Sequence, residues 1–345
     1  MNEIAPIRQP FGAGPDRGEM VEITTDIRWL RLVSRQAPLG GVNVWAIRNG
    51  SGWTVIDTGY SGQDMAEQWS ELIARHLDGP VVQIICTHFH PDHIGQIGML
   101  QARYPAAPLF MTAVEWQRAQ TMIGGRSAEE AERYGAHLLQ CGMDAEAIAA
   151  FEAGMRRNSA DYTAQLPQSC QIIEAGQTLS IGKTQWRVEI GAGHSPAPAL
   201  LFNDADKVAI VGDQLLMRIT PHVGVDADQP FGDPLGHYLQ FLIGAHSIAD
   251  DVLALPGHGP AFRQAGMRAA EIIAHHEDRL VAVSRALTVP TLCIDTIIPL
   301  FGRALSGIGL ILGLSEAHAH LNHLVATGRA VRTFDAEGRY LFEAI

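Results

Sequence analysis

The 345-residue chain carries a net charge of −12, with 47% hydrophobic and 18% charged residues. That balance is too apolar for a disordered chain, the length suits two domains of about 150 residues, and a surplus of acid argues against nucleic acid as a partner. No run reaches the about 18 apolar residues of a membrane span, and residues 1–20 lack the basic and apolar regions of a secretory signal. Cys86, Cys141, Cys170 and Cys293 are widely spaced and form no CxxC, which predicts reduced thiols serving core packing in a cytoplasmic protein.

In chain order, Trp29–Val33, Val42–Ile47 and Trp53–Ile56 read as strands, the last ending at Asp57-Thr58-Gly59. Met65, Trp69, Leu72 and Ile73 share one face of a helix expected over Gly62–His76. Val81–Cys86 is a continuous apolar run, as in a strand buried on both faces, and leads into His88-x-His90-x-Asp92-His93, where a helix is expected to begin. Leu109–Met111 is a further strand. Residues 127–158 form a helical insert with Tyr134, Leu138, Leu139, Met143, Ile148, Phe151 and Met155 as apolar positions. It is either a lid over the site or an amphipathic pair packed on the domain or on a second copy of the chain.

Strands resume at Leu179–Ile181, Gln185–Ile190, Ala199–Phe202 and Val208–Val211. Pro234–Ile248 reads as a helix, and the strand Val252–Leu255 ends at Pro256-Gly257-His258-Gly259. Strands meeting helices in this way predict a layered α/β domain. After Phe262 the pattern changes to helices at Met267–Leu287, Thr291–Phe301 and Ser315–Thr327, with Ser315 as N-cap. A hairpin over Arg332–Leu341, turning at Asp335-Ala336-Glu337-Gly338, completes a winged-helix-like module. The expected division is a catalytic domain over residues 1–262 and a C-terminal module over 263–345. Residues 263–345 hold 8 Lys+Arg and 8 Asp+Glu, so the whole negative charge falls on the first unit.

The chemistry concentrates in His88, His90, Asp92 and His93. Imidazole nitrogens and carboxylates at this density just after a strand are donors for zinc, manganese or iron. His88 and His90 lie two apart, so both can reach one ion from an extended turn, while Asp92 and His93 turn toward another. His194 within Gly191-Ala192-Gly193-His194-Ser195-Pro196, Asp213 after Val208–Val211, and His258 after Val252–Leu255 each follow a strand. Together they place candidate ligands along one sheet edge. Arg218 and His222 follow Asp213 and are candidate contacts for a substrate carboxylate or phosphate, weighed against plain surface solvation. His318, His320 and His323 lie on the third tail helix without an adjoining carboxylate or cysteine cluster, and read as structural.

This ordered set, from Asp57-Thr58-Gly59 through the HxHxDH block to His194, Asp213 and His258, resembles the metallo-β-lactamase-fold hydrolases over residues 25–262. The resemblance implies an αβ/βα sandwich with two divalent ions, Zn2+ first and Mn2+ or Fe as alternatives. His88, His90 and His194 would bind one ion, Asp92, His93 and His258 the other, with Asp213 bridging and Asp57 supporting the ligand loops. The C-terminal module resembles the winged-helix tail of the branch that includes β-lactamase-like protein 2 homologues.

Departures from the family's branches narrow the activity. True metallo-β-lactamases lack the bridging aspartate, and flavodiiron proteins replace the second histidine with a carboxylate. Lactonases carry a tyrosine where this chain has Leu216. Glyoxalase II-type enzymes follow the third histidine with Gly-His, where this chain has Ala197-Pro198, and no β-CASP-type insertion is present. The expected activity is hydrolysis of a small ester, thioester or lactone carbonyl by a hydroxide bridging the ions, with Asp92 and Asp213 orienting it. A phosphodiesterase or endoribonuclease is the alternative. The tail is expected to form a homodimer contact or a wall of the substrate pocket.

Overall fold

The computed structural model describes residues 7–34, 40–124, 127–150 and 165–345. Two sheets face each other. The first runs β1 (Met20–Thr24), β2 (Ile27–Val33), β3 (Gly41–Asn49), β4 (Gly52–Ile56), β5 (Val81–Ile85), β6 (Leu109–Met111) and β7 (Gln171–Ile172) in spatial order. β1 to β4 form an antiparallel meander; β4 to β7 are parallel, as helical crossovers such as Gln63–His76 require. The second sheet has the order β12-β11-β10-β9-β8, built from β8 (Thr178–Ile181), β9 (Thr184–Ile190), β10 (Ala199–Asn203), β11 (Val208–Gly212) and β12 (Leu253–Pro256). Only β11 and β12 are parallel there, joined across helix Pro234–Ala245.

The alternation of side chains along each strand explains why both faces are apolar. On β10 and β11, Ala199, Leu201, Val208 and Ile210 point into a core between the sheets with Trp29, Trp45, Ile56, Ile85 and Trp186. Their neighbours Leu200, Phe202, Ala209 and Val211 face outward onto helices Pro234–Ala245 and Ala265–Ala286. Val42, Val44, Val55 and Ile84 likewise leave the first sheet's outer face to Met65, Trp69, Leu72 and Ile73 of helix Gln63–His76. The result is the helix–sheet–sheet–helix sandwich expected from sequence. No helix among the described residues is long and apolar enough to cross a membrane.

Residues beyond Phe262 form helices Ala265–Ala286, Ile297–Phe301 and Gly307–Ala326, with β14 (Ala330–Phe334) and β15 (Tyr340–Ala344) as a hairpin. Two details differ from the sequence expectation. The segment expected as a helix over Thr291–Phe301 begins instead with β13 (Thr291–Leu292), which pairs with β15, and passes through a 3-10 turn at Cys293–Thr296. Pairing with the hairpin edge satisfies backbone groups that the short segment could not satisfy alone. The last long helix starts at Gly307 rather than at Ser315, and Ser315 Oγ donates within the helix to the Leu312 carbonyl at 2.9 Å. Glycines 307, 309 and 313 weaken the local helical signal by about 1 kcal/mol each. Burial of Ile311 and Leu314, with Gly313 giving room to Leu305, outweighs that cost.

The described part of the insert is a helix over Ala128–Gln140, opened by a Ser127–Glu130 capping box, with residues 145–150 also helical. Leu138, Met143 and Ile148 are buried in one cluster with Leu314, Ala317, Tyr340 and Phe342. This part of the insert therefore packs against the C-terminal module, while Leu139 is exposed. Phe151 and Met155 lie outside the described residues.

Candidate metal centre

The seven candidate ligands leave the ends of strands from both sheets. His88 to His93 follow β5, His194 follows β9, Asp213 follows β11 and His258 follows β12. Pro91 opens the helical turn Pro91–Ile94, where its fixed φ suits the first helical position, and the turn drives His93 inward. His88 Nε2 lies 3.0 Å from His90 Nδ1 and 3.2 Å from His194 Nε2. Asp92, His93 and His258 form a second convergent group. Asp213 Oδ2 sits between them, 3.6 Å from His194 Nε2, 3.6 Å from His93 Nε2 and 3.4 Å from His258 Nε2.

The outward nitrogens show which ring atoms face the centre. His93 Nδ1 donates to Asp57 Oδ2 at 2.9 Å, His194 Nδ1 to the His222 carbonyl at 2.8 Å, and His258 Nδ1 to the Gly41 carbonyl at 2.7 Å. A neutral imidazole that donates from Nδ1 presents a lone pair at Nε2. Those lone pairs face one another and the Asp213 carboxylate. His93 Nε2, His258 Nε2 and Asp213 Oδ1 are buried without a hydrogen-bond partner, although Asp92 Oδ2 is 3.0 Å from His258 Nε2. Lone pairs gathered this closely need a cation among them. Nitrogens about 2.1 Å from a tetrahedral ion stand roughly 3.4 Å apart, close to the spacing of the first trio. The residues fit a divalent metal.

Electrostatics divide the histidines: burial drives His88, His90 and His194 down, whereas the neighbouring carboxylates carry His93 and His258 up. Burial, with the neighbouring imidazoles His93, His90 and His194, pushes His88 well below the ordinary histidine range; His90 follows for the same reasons. Burial opposes ionisation of Asp213, yet His258, His93 and His194 draw its carboxyl well below the usual carboxylate range. Burial would lower His93 too, but Asp57, Asp92 and Asp213 carry it well above its ordinary value.

A shell of buried groups fixes the ligand loops. Asp57 has φ +62°, a left-handed conformation that costs energy for any residue with a Cβ. It accepts from the Thr87 N–H at 2.8 Å, the Thr87 hydroxyl and His93, so one carboxylate ties β4 to the HxHxDH loop. Glu115, a residue the sequence does not single out, is fully buried. It accepts from the Phe89 N–H at 3.0 Å, the Ser195 hydroxyl at 2.6 Å and the Ala197 N–H at 2.7 Å. It therefore joins the loop of His88 and His90 to that of His194. Asn43 Nδ2 donates to the carbonyls of Pro256 and Gly259 at 2.9 and 2.8 Å, on either side of His258. At Gly257 a Cβ would lie 2.2 Å from Asp213 Oδ1, so only glycine admits this approach.

Arg218 is exposed and its guanidinium reaches Gln9 Oε1 at 3.3 Å. The His222 ring turns away from the centre toward helix Gly307–Ala326, with Nε2 3.1 Å from the Leu312 carbonyl and 3.0 Å from Ser315 Oγ. Its carbonyl, rather than its ring, serves the centre through His194. No local signal marks Glu115 or Asn43, because their partners lie 26 to 216 residues away.

Comparison with known proteins bears on the fold and family. The profile of the C-terminal domain described as "Metallo-beta-lactamase-like" matches residues 280–345. A beta-lactamase domain protein from Burkholderia ambifaria superposes with a TM-score of 0.88 at 31% identity, covering 98% of each chain. A metallo-beta-lactamase family protein from Thermus thermophilus superposes with a TM-score of 0.79 at 23% identity, over 94% of this chain and 100% of that one. Among curated proteins, Thioesterase pkgB of Emericella nidulans is 30% identical over 90 residues, and that match spans only 25% of this chain and 25% of the relative's length. With the superfamily profile itself matching residues 37–258, ending at the last histidine of the centre, the chain belongs to the Metallo-beta-lactamase superfamily.

Proposed function

We propose that the chain is a dinuclear metal-dependent hydrolase acting on an ester, thioester or lactone carbonyl of a small molecule. His88, His90 and His194 would hold one ion and Asp92, His93 and His258 the other. The observation that carries the reading is Asp213 Oδ2, placed 3.4–3.6 Å from nitrogens of both groups, where one oxygen can serve two ions. When bound, two such ions supply Lewis acidity and a nucleophilic hydroxide near neutral pH.

The chain's own residues supply position and proton handling. Asp213 and Asp92, both held ionised, would orient the attacking oxygen and accept its proton, while the histidine rings would serve as ligands. Asp57, Glu115 and the His222 carbonyl hold rings and loops in register, so little reorganisation accompanies reaction. The thioesterase similarity, short as it is, favours a carbonyl substrate, and the charge of −12 disfavours an extended polyanion.

The test compares initial rates of metal-loaded protein on a panel of thioesters and lactones and on a bis-aryl phosphodiester, with Asp213→Ala as blank. Carbonyl turnover that vanishes in the variant supports the proposal. Preference for the phosphodiester refutes it and makes the phosphodiesterase reading the better one.

A further inference from the structure

A second cluster of metal-ligating side chains lies apart from the dinuclear centre, where the insert meets the C-terminal module. His137 and Cys141 are four residues apart at the end of helix Ala128–Gln140, and so share a face. Cys141 Sγ is 3.7 Å from His137 Nε2 and 3.6 Å from Nδ1 of His318 on helix Gly307–Ala326. The three donor atoms lie within 4.8 Å of one another. Cys293, at the start of the 3-10 turn, neighbours this trio with its thiol 3.7 Å from the Leu314 carbonyl, and the Ile294 N–H donates to the Cys141 carbonyl at 3.0 Å. None of the four side chains belonging to His137, Cys141, Cys293 and His318 is more than 5% exposed.

Hydrogen bonding holds this cluster only weakly: Cys141 can donate S–H to one imidazole and accept N–H from the other, and sulfur is poor in both roles. The same spacing also matches coordination. A tetrahedral ion with sulfur at about 2.3 Å and nitrogen at about 2.1 Å separates the two donors by about 3.6 Å, against the 3.6 and 3.7 Å observed. Thiol donors select soft and borderline ions, and two thiolates neutralise a divalent charge in an apolar setting. The ring of His318 is packed against Tyr340 and Phe342, which keeps water out.

We propose that His137, Cys141 and His318, with the neighbouring Cys293 thiol turning from the Leu314 carbonyl to become the fourth ligand, form a structural site for Zn2+ that fastens the insert to the C-terminal module. Binding breaks two S–H bonds, forms two metal–thiolate bonds and releases two protons to solvent. The three segments joined are far apart in sequence, so the ion would act as a cross-link.

The test uses the full-length chain, stripped of metal under reducing conditions and titrated with Co2+. The dinuclear centre offers only nitrogen and oxygen donors, so a thiolate-to-cobalt charge-transfer band in the near ultraviolet reports this site alone. The expected result is a stoichiometry of three ions per chain with that band present. Cys141→Ser should bind two ions and lose the band, Cys293→Ser should weaken it, and Asp213→Asn should retain it. Absence of the band in wild type, or its survival in Cys141→Ser, overturns the proposal. If Cys141→Ser fails to fold, His137→Gln takes its place, with loss of the third ion expected. A non-reduced mass lower by two hydrogens, with two fewer titratable thiols, would mean that Cys141 and Cys293 form a disulfide, and would also overturn it.

Discussion

Glu115→Ala is the most informative single perturbation of the centre, because Glu115 touches no candidate ligand side chain yet joins the two loops that carry His88, His90 and His194. Its removal leaves the Phe89 and Ala197 N–H groups and the Ser195 hydroxyl without their acceptor in a buried setting. Each buried donor left unpaired costs about 1–3 kcal/mol, and the hydroxyl can rotate toward another partner, so the loss is about 3–5 kcal/mol. For a chain of this size that lowers Tm by about 6–10 °C. Loosening both loops should also weaken metal binding by about 10–100-fold, as loss of supporting groups around ligands typically does. Thermal denaturation followed by circular dichroism, with chelator-competition titration of the metal, measures both. Glu115→Gln separates the effects: it keeps the volume, but its amide NH2 cannot accept from the Phe89 N–H, so a smaller stability loss with most of the affinity loss is expected. A Glu115→Ala protein with unchanged metal affinity and a Tm within about 2 °C of wild type would refute the reasoning.

Other consequences are as open to measurement. Asp57→Asn turns an amide donor toward His93 Nδ1, favours the wrong tautomer, and should cost about 10-fold or more in affinity for one of two ions, read as a biphasic titration; a single unchanged phase would exclude that role. Asn43→Ala frees the two carbonyls flanking His258, and should raise amide exchange in residues 256–260 while metal occupancy falls; unchanged exchange would show that β12 alone holds the loop. Gly257→Ala drives a methyl into Asp213 Oδ1 and should reduce turnover at least about 10-fold while costing about 1–3 kcal/mol of stability, so full activity would mean that Asp213 does not need its observed position. Burial lowers His276 to about 2 and His320 to about 4, below the ordinary value of 6.5. Both bind protons more readily unfolded, so stability should fall as pH drops from 6.5 toward 4, at about 1.4 kcal/mol per pH unit for each. Urea titrations at stepped pH check this, and His320→Leu should flatten the slope.

Much of this is legible in the sequence because it is local. Val81–Cys86 and Val208–Val211 read as strands since sheets covered on both faces demand unbroken apolar runs, and the HxHxDH block gathers four donors within six residues. Functions exercised across the fold leave no such mark. Glu115 looks like any first-turn helical glutamate, Asn43 like a polar break within β3, and His137, Cys141, Cys293 and His318 are scattered over residues 137–318. The start of the last helix is hidden for a related reason: tertiary burial of Ile311 and Leu314 overrides the cost of its glycines.

The candidate ligands are drawn from both sheets: four follow β5 of the first, three follow strands of the second. Neither sheet can assemble the centre alone. Bound metal would then act as a rivet through the sandwich, and its departure would report the parting of the two halves more directly than a global probe of helix content. Ion release timed against loss of tryptophan burial at Trp29, Trp45 and Trp186 would turn the centre into a built-in clock for the last assembly step of the fold.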